Sequence, residues 1–275
     1  MGILGYPIGH SLSPVMHNLT LQKMGLNYTY LPLEVKPDDI GKAVEAIRVF
    51  NMAGVNVTIP HKEKVISYLD DLSVPARACG AVNLIKNEDG KLVGYNTDGP
   101  GFVAGLKEEG IRIKGQVVLI GAGGAARAVA YAMAMEKAKT LTFLDIDIYK
   151  AKALADFVEE TTGVKSYGLE MNKKTFKDIA SQADIIINCS PIGMYPRVNE
   201  SPVDNIDMVK EQVVLCDLIY NPGQTKLLAM GKAKGLAIIN GLPMFVHQGA
   251  LTLKILIGED PPISYMKEVI SHQMQ

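Results

Sequence analysis

Tryptophan is absent from this chain of 275 residues, and cysteine occurs only three times. The cysteines, Cys79, Cys189 and Cys216, are odd in number and far apart, so they provide no disulfide framework. Neither they nor the five scattered histidines have the spacing of metal ligands. We therefore predict free, buried or half-buried thiols and no metal site.

An excess of either charge is also lacking, because 28 Lys and Arg residues are balanced by 29 Asp and Glu residues. Without a basic cluster interleaved with aromatic residues, neither nucleic acid nor an anionic membrane surface is an expected partner. No apolar run reaches the length of a transmembrane helix, and the N-terminus lacks a signal-peptide pattern. These absences predict a cytoplasmic protein that binds a small molecule and no membrane. Its oligomeric state, monomer or homodimer, stays open at this point.

Hydrophobic residues make up 48% of the chain, which is enough for substantial cores. The first hundred residues alternate short strands with helices, among them a helix over 13–25 with Ser13 at its N-cap. From residue 115, continuous Val, Ile and Leu runs alternate with helices, which is typical of a parallel sheet covered on both faces. We predict an α/β fold whose late helix, over 243–258, packs back on the first domain.

The stretch GAGGAA (121–126) follows a predicted strand and opens a helix, the setting in which a glycine pattern indicates dinucleotide binding. The first glycine allows a tight turn, the second lets the backbone approach a pyrophosphate, and the free N–H groups of the helix attract phosphates. The stretch predicts a Rossmann domain; the alternative is a glycine-rich turn without a ligand. The predicted cofactor-binding residues in this loop are Gly121, Ala122, Gly123, Gly124 and Ala125.

Asp145 ends the next predicted strand, about twenty residues beyond the glycines, where a carboxylate can bind the adenosine ribose hydroxyls. It would repel a 2′-phosphate, and Ile146 offers no guanidinium to bind one. The pattern predicts NAD as the preferred cofactor, with NADP possible. In the alternative interpretation, Asp145 or Asp147 only caps the following helix.

Polar side chains interrupt several otherwise apolar strands of the first hundred residues. Asn56 and Thr58 share one strand face in GVNVTIPHK, Asn83 interrupts AVNLI, and Asp98 ends YNTD. Each has a local explanation, because Asn and Thr can satisfy backbone groups and Asp98 can cap the next helix. Together with Lys62, they predict a binding site for a small polyhydroxylated acid.

Segments spread over nearly the whole chain resemble successive signatures of the shikimate dehydrogenase family. In chain order they are GYPIGHSLSP, GVNVTIPHK, AVNLI, YNTDGPGF, GAGGAARA, NCSPIGM and GLPMFVHQGALTLKI. SLSP, NVTIPHK and NTD are specific to this family and its quinate/shikimate relatives, whereas GAGGAA is shared by many Rossmann proteins. The resemblance implies an N-terminal α/β substrate-binding domain over 1–100, completed by 241–275, and a Rossmann domain over 101–240.

The resemblance also implies roles for individual residues. Lys62 and Asp98 would be the catalytic pair at the C3 hydroxyl of shikimate, whose oxidation transfers a hydride to a nicotinamide cofactor. Ser11 and Ser13 would bind the substrate carboxylate. The remaining implied residues are, for the substrate, Asn56, Thr58, Asn83, Tyr220 and Gln248, and, for the cofactor, Gly241.

Several alternatives stay open at this point. Lys62 is either a general acid/base or a fixed ammonium that stabilises the alkoxide. The chain departs from NADP-using members of the family at Asp145-Ile146-Asp147, where those members commonly have Asn-Arg-Ser or Asn-Arg-Thr. Because of this departure, an NAD-dependent quinate dehydrogenase is the alternative hypothesis to a shikimate dehydrogenase. We favour shikimate as a substrate. A non-catalytic sensor of metabolite or dinucleotide is a third hypothesis, and the presence of both Lys62 and Asp98 argues against it.

Overall fold

Two compact units make up the protein in the computed structural model, which describes residues 1–274. The first unit contains Met1–Gly101 and the described residues from Val246 onward, and the second contains Phe102–Phe245. The C-terminal segment is therefore part of the first unit. The three cysteines are free thiols, two of them buried and one half-buried, which is as predicted.

The first unit is built on a six-stranded sheet with the strand order β2-β1-β3-β5-β6-β4. Its strands are β1 (Gly2–Gly5), β2 (Leu31–Glu34), β3 (Gly54–Val57), β4 (Asp71–Leu72), β5 (Leu84–Glu88) and β6 (Lys91–Tyr95). Its helices are α1 (Ser13–Lys23), α2 (Ile40–Val49), α3 (Val74–Cys79), α4 (Asp98–Glu108), α9 (Leu242–Ile257) and α10 (Ile263–Gln273), of which α4 and α9 continue into the second unit. The central strands β1 and β3 are parallel, and β5 runs antiparallel to both of its neighbours.

The second unit is built on a parallel sheet with the strand order β12-β11-β10-β7-β8-β9. Its strands are β7 (Gln116–Ile120), β8 (Thr140–Asp145), β9 (Ser166–Glu170), β10 (Ile185–Asn188), β11 (Val214–Asp217) and β12 (Ala237–Ile239). Its other helices are α5 (Gly124–Met135), α6 (Ile148–Thr162), α7 (Lys173–Ala180) and α8 (Lys226–Ala233). The strand order reverses between β7 and β10, as in a doubly wound Rossmann sheet, whose ligands bind beyond the carboxyl ends of the strands at this point.

Burial on both faces explains why β7 reads as an almost continuous apolar run, and β3 is covered in the same way. All four residues of β3 are buried, and Val55 and Val57 belong to the core of the first unit. In the second unit, Val117 and Leu119 of β7 pack into one core, and Val118 and Ile120 into another. A covered strand needs no alternation of polar and apolar residues, so a polar residue such as Asn56 has to find its partners inside the protein.

The structure corrects several details of the predicted elements. Ser13 is the first residue of α1 rather than its N-cap; Leu12 holds that position, and the Ser13 N–H donates to Ser11 Oγ at 3.3 Å. Thr58 and Asn83 lie just outside β3 and β5 rather than within strands, because the regular pairing stops one residue short of each.

The sequence does not predict four of these elements: β4, α3, β9 and α10. β9 has the sequence SYGLE, and its glycine and alternating polar residues weaken the strand pattern at this edge of the sheet. Within residues 1–274, no helix is both long enough and apolar enough to cross a membrane.

Candidate active site

A lysine and an aspartate form a close ion pair in the first unit. Lys62 Nζ donates to Asp98 Oδ2 at 2.6 Å, and the two side chains are only 18% and 9% exposed. Lys62 lies beyond the carboxyl end of β3, and Asp98 is the first residue of α4. A pair this close and this shielded from water interacts more strongly than an exposed pair, so each charge holds the other in place.

Asn83 binds the second oxygen of the same carboxylate. Its Nδ2 donates to Asp98 Oδ1 at 2.8 Å and to Thr97 Oγ1 at 2.9 Å, while its Oδ1 accepts from the Thr97 N–H at 2.7 Å. Asn96 donates to the Ala81 carbonyl and accepts from the Asp98 N–H. Both amide protons of Asn83 are therefore used within the protein, and a lone pair of Oδ1 is what remains for a substrate hydroxyl.

The carboxyl ends of β1 and β3 lie side by side at one edge of the sheet. Thr58 directly follows β3, and a β-carbon on Gly5 at the end of β1 would lie 2.6 Å from its methyl group, so glycine is needed there. The loop after β1 carries Ser11, and Ser13 is buried at the start of α1. The structure thus brings the predicted residues Ser11, Ser13 and Thr58 to the edge from which Lys62 extends.

Gln248 lies where two helices cross closely. A β-carbon on Gly101 of α4 would be 2.7 Å from the backbone nitrogen of Gln248 in α9, so any other residue would push the helices apart. Gly101 is three residues beyond Asp98, about one helical turn. Gln248 is therefore held against the helix that begins with Asp98.

The glycine loop connects β7 to α5 in the second unit. Gly121 has a φ of +100°, and its N–H donates to the Leu144 carbonyl at 2.7 Å. Gly123 directly precedes α5, and a β-carbon there would meet no atom within 4 Å. The helix start therefore offers its backbone N–H groups to open space, which fits the pyrophosphate of a nicotinamide dinucleotide.

Asp145 ties the end of β8 to this loop. Its Oδ2 accepts from the Ala122 N–H at 2.8 Å and its Oδ1 from the Asp147 N–H at 2.9 Å. The N-cap of α6 is Asp147, whose carboxylate accepts two N–H groups of the first turn, so Asp145 is free of the capping role. Each oxygen of Asp145 keeps a lone pair that can accept from a ribose hydroxyl, and Ile146 beside it is 84% exposed.

Gly241 and Tyr220 also belong to the second unit. The Gly241 N–H donates to the Ile219 carbonyl at 3.0 Å, and a β-carbon on Gly241 would clash with the Leu218 carbonyl. Tyr220 stacks on Phe245 with ring centroids 4.5 Å apart, and burial raises the pKa of its phenol. Both residues are fixed within this unit, and their contacts with cofactor and substrate stay predictions.

A polar cluster at the ends of β10 and β11 is missing from the predicted site. Asp217 accepts from Thr225 Oγ1 at 2.7 Å, from the Ile219 N–H at 3.1 Å and from Asn188 Nδ2 at 3.1 Å. Desolvation raises the pKa of this buried carboxyl to about 6, although the three hydrogen bonds act in the opposite direction. The sequence does indicate this cluster, because Asn188 and Asp217 are polar residues at the ends of apolar strands, just as Asn56 is a polar residue within one.

The two units together define a class of protein. Within the described part of the chain, no three His, Cys, Asp or Glu side chains are grouped so that they could hold a metal ion. A chain that combines a doubly wound parallel sheet, with an open glycine loop at its switch point, and an α/β unit with a shielded lysine–aspartate pair has the features of a two-domain nicotinamide-dependent oxidoreductase.

Comparison with known proteins identifies the family. The model of the shikimate dehydrogenase substrate binding domain matches residues 3–85, and that of the shikimate 5'-dehydrogenase C-terminal domain matches residues 241–270. The shikimate dehydrogenase (NADP(+)) of Syntrophomonas wolfei is 52% identical over 275 residues, which cover 100% of this chain and 95% of that protein. The chain belongs to the shikimate dehydrogenase family, as its motifs predicted.

Two solved structures share the fold over nearly their whole length. A shikimate dehydrogenase in complex with NADP+ has a TM-score of 0.92 and 40% identity, covering 100% of this chain and 95% of that one. The shikimate 5-dehydrogenase of Listeria monocytogenes, in complex with shikimate and NAD, has a TM-score of 0.92 and 33% identity, covering 98% and 95%. The predicted α/β fold with a Rossmann domain is confirmed, and both cofactors occur among these similar structures.

Proposed function

We propose that the protein interconverts shikimate and 3-dehydroshikimate, with a nicotinamide dinucleotide as the hydride carrier. The observation that carries this proposal is the shielded Lys62–Asp98 pair, in a chain similar to enzymes named for this activity. Oxidation of a secondary alcohol needs a group that removes the hydroxyl proton, and the reverse reaction needs an acid for the developing alkoxide. A nicotinamide cofactor held at the glycine loop would supply C4 of its nicotinamide as the acceptor of the hydride.

Lys62 moves the proton at the C3 oxygen of the substrate. One of its three ammonium protons binds Asp98 Oδ2, which leaves two for the substrate oxygen. In the reduction direction the ammonium gives a proton to the alkoxide, and in the oxidation direction the amine takes it back. Asp98 stabilises the positive charge of Lys62, and Asn83 fixes the orientation of that carboxylate.

The other predicted residues bind the rest of the substrate. The Ser11 hydroxyl accepts from the Ser13 N–H and can direct its own proton to the substrate carboxylate, which Ser13 also binds. We assign the first unit to the substrate and the Rossmann unit, with Gly241, to the cofactor. The residues proposed to contact or support the ring and its hydroxyls are Asn56, Thr58, Asn83, Tyr220 and Gln248.

Shikimate and quinate can be separated by a direct assay. Quinate has a saturated ring and an added tertiary hydroxyl at C1. Both acids carry the same carboxylate, so a difference in kcat/KM between them reports on how the site accepts the ring. Purified protein is incubated with each acid and with NAD or NADP, and the absorbance of the reduced nicotinamide is followed. We expect a higher kcat/KM for shikimate than for quinate. Absence of reduction in all four combinations would contradict the proposed enzyme and favour a sensor.

The same assay compares the two cofactors, and we propose a preference for NAD. Two observations support this preference: Asp145 binds the Ala122 N–H of the glycine loop, so its negative charge would repel a 2′-phosphate near that loop, and Ile146 supplies no positive charge to bind one. The Syntrophomonas relative is named for NADP(+), so a higher kcat/KM with NADP than with NAD would contradict this preference. The cytoplasmic location and the monomeric or homodimeric state stay predictions.

A further inference from the structure

Two buried hydroxyl groups, on Tyr30 and Thr252, bind one amide in the first unit. The Tyr30 hydroxyl donates to Asn56 Oδ1 at 2.6 Å, and Asn56 Nδ2 donates to Thr252 Oγ1 at 3.0 Å. The same Nδ2 donates to the backbone carbonyl of Asn83 at 3.0 Å. Tyr30 and Thr252 are fully buried, so the network lies within the protein interior. It joins the segment before β2, the strand β3, the residue before β5 and the helix α9.

The partners leave the Asn56 amide a single orientation. The Asn83 carbonyl can only accept, so the amide has to present its nitrogen there and its oxygen to Tyr30. Burial raises the pKa of the Tyr30 phenol well above its ordinary value, so this hydroxyl stays a donor at neutral pH. The Tyr30 ring also stacks on buried His17, with ring centroids 4.3 Å apart, which restricts its rotation.

The network continues to the lysine–aspartate pair. Asn56 binds the backbone of Asn83, the Asn83 side chain binds Asp98 Oδ1, and Lys62 binds Asp98 Oδ2. Each member is buried or largely shielded, and a buried polar group that loses its partner is costly to leave unpaired. A change at the Tyr30 end therefore alters the preferred position of Asn83 and of the Asp98 carboxylate.

A second branch reaches the predicted substrate residue in α9. Thr252 is four residues after Gln248, so the two side chains lie on the same face of this helix. The Asn56–Thr252 hydrogen bond fixes the rotation of α9 relative to β3. The same amide thus ties together the strand that precedes Lys62 and the helix that carries Gln248.

We infer that Tyr30 and Thr252 are positioning residues for the reaction, because they hold Asn56 and, through Asn83, the Asp98 carboxylate that orients Lys62. This inference rests on the proposed function for its kinetic test. Neither residue touches the reacting atoms in this scheme, so their effect is on the geometry of the catalytic pair.

The kinetic test uses Tyr30→Phe and Thr252→Val, each of which removes a hydroxyl and keeps the shape. We expect Tyr30→Phe to lower kcat about tenfold, which corresponds to about 1.4 kcal/mol, while the KM for shikimate changes less than about threefold. Thr252→Val should lower kcat as well and raise the KM through Gln248. Unchanged kcat in Tyr30→Phe overturns the inference.

Matched controls separate positioning from packing. Tyr28→Phe removes the hydroxyl of an exposed tyrosine nearby, and Thr20→Val removes a buried one that binds only the Met16 carbonyl in its own helix. Both controls should keep kcat within about twofold. A purely structural role would lower the melting temperature of Thr20→Val and Thr252→Val alike without changing kcat for the folded enzyme.

A structural readout distinguishes this inference from the proposed function. Crystal structures of the wild type and Tyr30→Phe should differ in the Asn83 Nδ2–Asp98 Oδ1 contact, which is 2.8 Å here, and in the position of Lys62 Nζ. Unchanged geometry overturns the inference whatever the activity. A wild type inactive on shikimate, with Asp98 displaced in the variant, contradicts the proposed function and supports the positioning role.

Discussion

The two units build their candidate sites by different means. In the first unit the functional groups are side chains that already bind one another, as Lys62, Asp98 and Asn83 do. In the second unit the functional groups are mainly backbone N–H groups, exposed by Gly121 at positive φ and by the open space beside Gly123. A side-chain site fails when a group is removed, whereas a backbone site fails when a side chain is added.

The largest effect is expected from removing the lysine of the first unit. Lys62→Ala deletes the group that we propose exchanges the proton at C3, and general acid–base groups typically contribute at least about a hundredfold, or about 2.7 kcal/mol. We expect kcat for shikimate oxidation to fall by at least that factor, with a much smaller change in KM. Steady-state kinetics at saturating cofactor measure both.

The matched control for this prediction is Lys64→Ala, two residues further along the chain. Lys64 is half exposed, and its ammonium binds the Pro37 carbonyl, so its removal should leave kcat unchanged. A Lys62→Ala enzyme with normal kcat and raised KM would show that Lys62 only binds the substrate. The site of the first unit would then only bind its ligand, without exchanging a proton, as we expect of the glycine loop in the second unit.

The next prediction concerns the stability of the first unit, which should fall in acid. His17 in the first unit is buried, with both ring nitrogens lacking a hydrogen-bond partner among the described residues, and desolvation lowers its pKa to about 3. The unfolded chain binds a proton below about pH 6.5, so folding stability is lost as the pH falls from there towards 3. From pH 7 to pH 5 this loss amounts to about 2 kcal/mol.

His17→Phe keeps a ring for stacking on Tyr30 and removes the titrating group. Urea unfolding of the variant at pH 7 and pH 5 should show an acid loss about 2 kcal/mol smaller than that of the wild type. His272→Asn, at an exposed histidine near the end of α10, is the control and should keep the wild-type difference. Equal acid losses in wild type and His17→Phe would contradict the prediction.

What could be predicted from the sequence follows the same division. The sequence context predicts the glycine loop, and GAGGAA does connect a strand to a helix; cofactor binding at this loop stays a prediction. Lys62, Asp98 and Asn83 can be predicted as site residues because a polar residue next to a buried apolar strand needs a hydrogen-bond partner or a ligand. Ser13 is misjudged as an N-cap because its neighbour Ser11 provides the hydroxyl that binds its N–H.

The hydrogen-bond network behind the lysine–aspartate pair could not be predicted in this way. Tyr30 and Thr252 are ordinary residues of a strand entry and an amphipathic helix, and each gains a role only through Asn56. Asn56 and Thr252 are 196 positions apart, and no local pattern links residues at that distance. The Asp217 cluster does have polar residues at the ends of apolar strands, but it lies outside the motifs that indicate the substrate site.

A smaller effect should follow from adding a single methyl group to the backbone site. Gly121→Ala places a β-carbon 3.2 Å from the Ser190 nitrogen and forces a non-glycine residue to a φ of +100°. Such strain costs about 1–3 kcal/mol, and relief of it would move the loop away from the phosphates. We expect a KM for the cofactor raised about tenfold, with the KM for shikimate nearly unchanged. Gly110→Ala, also at positive φ but with open space around it, should lower stability without changing either KM.

The smallest effect concerns Asp217 and has the opposite sign to that of His17. Its folded-state pKa of about 6 lies above its unfolded value of about 3.8, so its contribution is present at low pH and is lost as the pH rises through 6. Acidification from pH 7 to pH 5 should therefore stabilise the second unit by about 1 kcal/mol while it destabilises the first.

Hydrogen exchange at the two pH values, corrected for intrinsic rates, measures the units separately, with amides of β11 and β3 as reporters. Asp217→Asn keeps an acceptor for Thr225 and should abolish the gain in β11 without changing the loss in β3. If β11 and β3 lose protection in parallel in the wild type, the units do not respond separately to acid and the predicted contrast between them is wrong.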